Sequence, residues 1–139
     1  MSEVARYTVS MEAPLLDQFD VLIEKRGYAT RSEAVRDLIR SALVEEQLSN
    51  PRQKVAATVT LVYHHHASGL SEKLAHIQHH HVGEIVSTTH VHLDNDNCLE
   101  VVILRGRGKA IKELAEELVA IKGIMQGKAV FTTEGKDLC

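Results

Sequence analysis

The 139-residue chain reads as an α+β protein of two domains, and three observations carry that reading. Apolar residues alternate with a period of two over residues 6–11 and then switch to helical spacing. Thr30-Arg31-Ser32-Glu33 has the form of a helix start. From Lys54 onward the periodicities follow the order βαββαβ. The expected arrangement is a βαα unit over residues 1–50 and a split βαβ sheet over 54–139 with both helices on one face. A polar segment broken at Asn50-Pro51 joins them.

In the first unit Arg6, Thr8 and Ser10 alternate with Tyr7, Val9 and Met11, the pattern of a strand with one wet face. Pro14 suits the first turn of a helix. Leu15, Leu16, Phe19, Leu22 and Ile23 follow at helical spacing, and Gly27 suits the reversal that ends it. Thr30 and Glu33 make a capping box ahead of the stripe Ala34, Val35, Leu38, Ile39, Ala42 and Leu43. One strand and two helices in about 45 residues leave the strand unpaired and the core too small to stand alone, so this unit is expected to dimerise. Two such strands, paired antiparallel about a twofold axis, present Arg6, Thr8 and Ser10 of both chains on a ribbon that fits a DNA major groove. The same residues also suit an ordinary edge strand facing water.

In the second unit the periodicity predicts strands over residues 55–64, 84–94, 97–105 and 127–133, with helices over 69–80 and 108–122. Leu70, Leu74 and Ile77 form the buried stripe of the first of these helices. Ile111, Leu114, Ala115, Leu118 and Ile121 form that of the second.

All nine histidines fall between residues 64 and 92. The tracts His64-His65-His66 and His79-His80-His81 are internal and embedded in periodic apolar sequence, which sets them apart from an expression tag. The sharper signal is His90-Val91-His92, whose imidazoles share one side of a strand. Asp94-Asn95-Asp96-Asn97 is a cluster of turn formers, so the returning strand brings Cys98 back beside His92. Two imidazoles and a thiolate suit a late transition metal. Donors of these types suit Ni(II), Cu(II) or Zn(II), and the sequence fixes the ligand type but not the geometry. Three other readings stand beside this one: a solvated polar face, a zinc hydrolase with Glu100 as base, and an antitoxin-like DNA-binding module whose second domain takes a small molecule. No glycine-rich or nucleophile motif supports the hydrolase, and the His/Cys cluster argues against the third reading.

Composition narrows the class further. At 44% hydrophobic and 25% charged the chain is ordinary for a soluble globular protein. No run approaches the roughly 18 to 20 apolar residues of a membrane span, and the N-terminus lacks a secretory layout, so a cytoplasmic location is expected. Cys98 and Cys139 do not make a disulfide framework; Cys98 is expected reduced and Cys139 incidental. The net charge is −3, and residues 1–52 carry 7 basic against 9 acidic groups. Any recognition of DNA must therefore rest on a few placed side chains, not on a broad basic surface.

The whole chain resembles the nickel-responsive transcriptional regulators. The resemblance is carried by Gln78-His79-His80-His81, eight residues, His90-Val91-His92, five residues, then Cys98-Leu99-Glu100, with Arg31-Ser32-Glu33-Ala34 and Arg36-Asp37 in the front half. It implies an N-terminal ribbon-helix-helix domain, an ACT-like domain of ferredoxin type, and a homotetramer built as a dimer of dimers. It implies one Ni(II) per subunit, held by His90, His92 and Cys98 of one subunit with His79 of a neighbour. Gln78, Tyr63 and Glu100 would orient these ligands, although Tyr63 can equally be a packed strand residue. Arg6, Thr8 and Ser10 would read bases of a double-stranded operator with two half-sites. Glu33 and Asp37, four residues apart on one helix, would form a second cation site, although Arg36 or Arg40 can instead pair with them. The implied function is a nickel-dependent regulator, most directly a repressor, with no catalysis, small-molecule substrate or membrane partner. The chain departs from the family's pattern at His64-His65-His66-Ala67-Ser68-Gly69, neutral at pH 7 where a charged segment is frequent. Weak extra metal sites and a solvated loop both fit that tract.

Overall fold

A computed structural model of the chain describes residues 3–136 and 138. Cys139 lies outside the described residues. The chain divides into two compact units, Met1–Ala42 and Leu43–Cys139. Its elements are α1 (Ala13–Lys25), α2 (Arg31–Ser49), β1 (Lys54–His64), α3 (Leu70–His80), β2 (Ile85–His92), β3 (Asn97–Arg107), α4 (Gly108–Val119) and β4 (Ile124–Thr133).

In the first unit, residues 3–12 form neither helix nor strand, where the alternation predicts a strand over 6–11. The physical reason is that a strand exists only through its ladder, and the described residues of this unit offer no second strand to pair with. Tyr7, Val9 and Met11 accordingly remain 64%, 58% and 42% exposed. Pro14 sits in the first turn of α1. Gly27, at φ +77°, ends that helix by letting the Tyr28 N–H reach back to the Ile23 carbonyl at 3.0 Å. Thr30 Oγ1 accepts the Glu33 N–H at 3.2 Å, as the capping box requires. The Glu33 carboxylate accepts from Ala29 N–H, one residue before the expected partner. Arg31 clamps Asp20 through two bonds of 2.8 and 2.7 Å, tying α2 to α1. No residue of α1 is buried, and Ala34 is the buried residue of α2.

In the second unit the polar stretch after residue 44 continues as helix to Ser49, with Leu48 packed against the core. The break then narrows to a turn in which Asn50 Oδ1 accepts the Arg52 N–H at 3.0 Å. The four strands pair antiparallel in the order β2-β3-β1-β4. Val55, Ala57, Val59, Leu61 and Tyr63 of β1 are buried, as are Cys98, Glu100, Val102 and Leu104 of β3. The register sets Tyr63 opposite Cys98, Leu61 opposite Glu100 and Val59 opposite Val102, so these side chains share one face. Leu70, Leu74 and Ile77 of α3 and Ile111, Leu114, Ala115 and Leu118 of α4 are buried in the same core. Each fully buried Leu or Ile there contributes about 1.5–3 kcal/mol. At Gly127 β4 passes close to Val119 at the end of α4: a Cβ there would lie 2.8 Å from Val119 Cβ. The register of β2 shifts between Ile85 and Ser87, after which His90 stands opposite Glu100 and His92 opposite Cys98.

Candidate metal centre

The β2–β3 hairpin builds the site. Asp94 closes its turn, accepting the Asp96 and Asn97 N–H groups at 2.8 and 2.7 Å and the Asn97 side-chain amide at 2.9 Å. These bonds hold the Asp94 carboxyl below the usual carboxylate range, with the Asn97 side chain the largest cause. The closed turn sets the register in which His92 faces Cys98. His90 and His92 lie on the helix-covered side of an edge strand and stay exposed, whereas Cys98 on the inner strand is buried. The His92 Nδ1 to Cys98 Sγ distance is 3.5 Å.

A chain of polar contacts backs these donors. The Tyr63 hydroxyl donates to Glu100 Oε2 at 2.9 Å, and His90 Nδ1 stands 3.1 Å from the same hydroxyl oxygen. The single phenolic proton goes to Glu100, so His90 Nδ1 must carry the hydrogen of its contact, which leaves the Nε2 lone pair free for a metal. Burial, followed by the bond to Glu100, pushes the Tyr63 hydroxyl far above the usual phenol range, which keeps it a donor. Gln78 Nε2 approaches Glu100 Oε1 at 3.4 Å, anchoring the last turn of α3 to β3. The three side chains expected to orient the ligands therefore meet at one carboxylate.

A fourth donor belongs to this group that the spacing argument did not include. His65, His90, His92 and Cys98 offer ligand atoms that all lie within 4.8 Å of one another. His65 Nδ1 is 3.3 Å from Cys98 Sγ, and its ring centroid is 5.0 Å from that of His92. The signal was present in strand phase: Tyr63 shares a face with Cys98, and His65 follows it by two. The His65 N–H extends that ladder by bonding to the Asp96 carbonyl.

His79 is exposed on the last turn of α3 and is not in this group. Arg6, Thr8 and Ser10 are all exposed on the segment before α1. Glu33 and Asp37 line one concavity with Tyr28, Arg36 and Arg40. Asp37 there accepts from the Tyr28 hydroxyl at 3.0 Å and from Arg40 at 3.1 Å, so an added cation would have to displace both.

The donor set fits a late transition ion. Nitrogen and sulfur ligands at about 2.0 and 2.3 Å from one ion stand roughly 3.0–3.5 Å apart, depending on the angle between them. The 3.3 and 3.5 Å separations fall in that range. Buried cysteine and neutral imidazoles are also the softer donors such ions prefer over Mg(II) or Ca(II).

Comparison with known proteins places these residues among relatives. Residues 56–132 match the family model described as the NikR C terminal nickel binding domain. Residues 5–46 match that of the ribbon-helix-helix protein, copG family. Over 138 residues, spanning 99% of both chains, this chain is 51% identical to a protein of Geobacter metallireducens named as a nickel-responsive regulator. Proteins with the same name from Geobacter sulfurreducens and Nitratidesulfovibrio vulgaris are 49% and 46% identical over equal coverage.

Proposed function

This chain belongs to the family of nickel-responsive regulators, with a ribbon-helix-helix domain ahead of a nickel-binding domain, and from that membership we propose that it is a repressor that grips a two-half-site operator when nickel is bound. It is a transcription regulator and not an enzyme, which disposes of the zinc-hydrolase reading. The observation that carries the proposal is the convergence of His90, His92 and Cys98 on one another, with His90 backed by the Tyr63–Glu100–Gln78 chain.

We assign residues 1–50 to DNA binding and dimerisation and residues 54–139 to metal binding and assembly of the dimers, a division supported by matches over residues 5–46 and 56–132. The exposed Tyr7, Val9 and Met11 support the first role, since pairing with a second chain is what would cover them. In that pairing Arg6, Thr8 and Ser10 form the outward face of the ribbon. Val91, Ile103 and Val130 are exposed apolar strand residues of the second unit, and Leu93 is exposed just after β2, which supports burial against another copy.

His90, His92 and Cys98 hold one Ni(II) per chain, and His79 of a second copy takes the remaining position in the homotetramer. A bound ion would then link the two copies. Tyr63 fixes the His90 ring, and Gln78 holds the turn that carries His79. Selection of nickel over the tighter-binding copper rests on geometry and availability. A thiolate ligand needs a reducing compartment, which points to the cytoplasm. The test is a nickel titration of the full-length protein in which metal stoichiometry and protection of an operator duplex are followed together. One nickel per chain with protection appearing at the same point supports the proposal; protection that ignores nickel overturns it.

A further inference from the structure

We propose that His65 is a metal ligand, the fourth donor of a site complete within one chain, so that a divalent nickel ion is captured by His65, His90, His92 and Cys98 before His79 of a neighbour takes the place of His65. The inference rests on the nickel reading above and goes beyond it by making the site independent of assembly.

Four donors from a single chain already lie within 4.8 Å of one another. His65 is closer to the thiol than His92 is, at 3.3 against 3.5 Å. Its position is built by the backbone, because the His65 N–H bonds to the Asp96 carbonyl at the mouth of the hairpin that carries the other three. The ring is exposed, in a segment that leaves the sheet one residue earlier at His64. It can therefore meet an incoming hydrated ion and then withdraw without disturbing the core, whereas Cys98 cannot move. His79 stands on a different element, anchored next to Gln78, and reaches the ion only in an assembly that brings a second copy close. One thiolate with exchangeable imidazoles thus provides a path in which the ion is never held by fewer than three protein ligands.

The test uses full-length protein and nickel alone, with chelator competition for affinity, the thiolate-to-nickel absorption band, nitrogen and sulfur ligand counts by X-ray absorption, and stopped-flow loading. His79→Ala is expected to keep one nickel per chain with an intact thiolate band. His65→Ala combined with His79→Ala should then lose a further 10- to 100-fold or so in affinity and one nitrogen ligand. His65→Ala alone should load nickel more slowly than the unaltered chain, and His66→Ala at the same rate as that chain. Equal affinity of the double and the His79→Ala proteins, with equal ligand counts, overturns the role of His65. Cys98→Ala separates the two claims. If it abolishes the band while His65→Ala changes nothing, only the present inference fails; if it leaves band and affinity intact, the nickel reading itself fails.

Discussion

At the scale of single residues, the decisive feature is that one proton orders the centre. Tyr63 gives its proton to Glu100, so the hydrogen between Tyr63 and His90 belongs to His90, and the ring presents Nε2 outward. Tyr63→Phe removes that constraint with almost no change in volume. Nickel affinity measured by chelator competition is expected to fall about 10- to 100-fold. Glu100 would also lose a donor inside the core, which should lower thermal stability by about 1–3 kcal/mol. Unchanged affinity would show that the ring is held by something other than the tyrosine. Arg6 makes the matching prediction on the DNA side. Arg6→Ala should weaken binding to the preferred duplex by on the order of 1–3 kcal/mol and relax preference at one position per half-site, with nickel affinity unaffected. A loss spread equally over preferred and random duplexes would assign Arg6 to phosphate instead.

At the scale of elements, the hydrophobic period made most of the fold legible. The stripes Leu70-Leu74-Ile77 and Ile111-Leu114-Ala115-Leu118 are buried as the spacing predicts, since each helix has one sheet face to cover. The strand at residues 6–11 is legible as a pattern but does not form in the single chain, because the described residues of this unit hold no second strand to complete a ladder. Helix α2 outruns its expected end because Glu45, Glu46 and Gln47 are good helix formers and Leu48 has a core to pack on. His65 escaped the spacing argument since the HHH tract reads as a loop, and only the phase of β1 assigns its middle residue a side. Two element-level outcomes follow. Gly127→Ala drives a methyl against Val119 Cβ at 2.8 Å and its Cα at 3.2 Å, so β4 must lift from α4. A loss of about 1–3 kcal/mol in denaturant unfolding is expected, and no loss would mean that the two elements separate freely. The second concerns acid. Arg31 holds the Asp20 carboxyl below its ordinary 3.8, chiefly through the side-chain bond. A carboxyl with a depressed folded value adds stability that is fully present above 3.8 and lost as pH falls through the depressed value. Asp20→Asn should therefore lower the melting temperature near neutral pH and shrink the difference between the two proteins in acid, as thermal melts at about pH 7 and pH 3 would read.

At the scale of the whole molecule, the single chain leaves its first unit with little buried core. The first unit buries a single α2 residue, Ala34, and none of α1, while apolar residues of both helices, Leu15, Val21 and Leu38 among them, stay exposed. On the proposed function that surface would find cover in a second copy, and the same pairing would supply a strand partner. Under the proposed function metal and DNA would then act on one assembly equilibrium. If nickel binds the DNA-competent arrangement more tightly than the others, DNA must tighten nickel by the same factor, typically 5- to 150-fold. The most direct test selects a duplex from a randomised pool with the nickel-loaded protein and then measures its affinity with and without nickel, for the unaltered chain and for Cys98→Ala. The expected result is a two-half-site duplex bound at least about tenfold more tightly with nickel, and no nickel effect once Cys98 is replaced. Equal affinity with and without nickel in the unaltered chain would contradict the account.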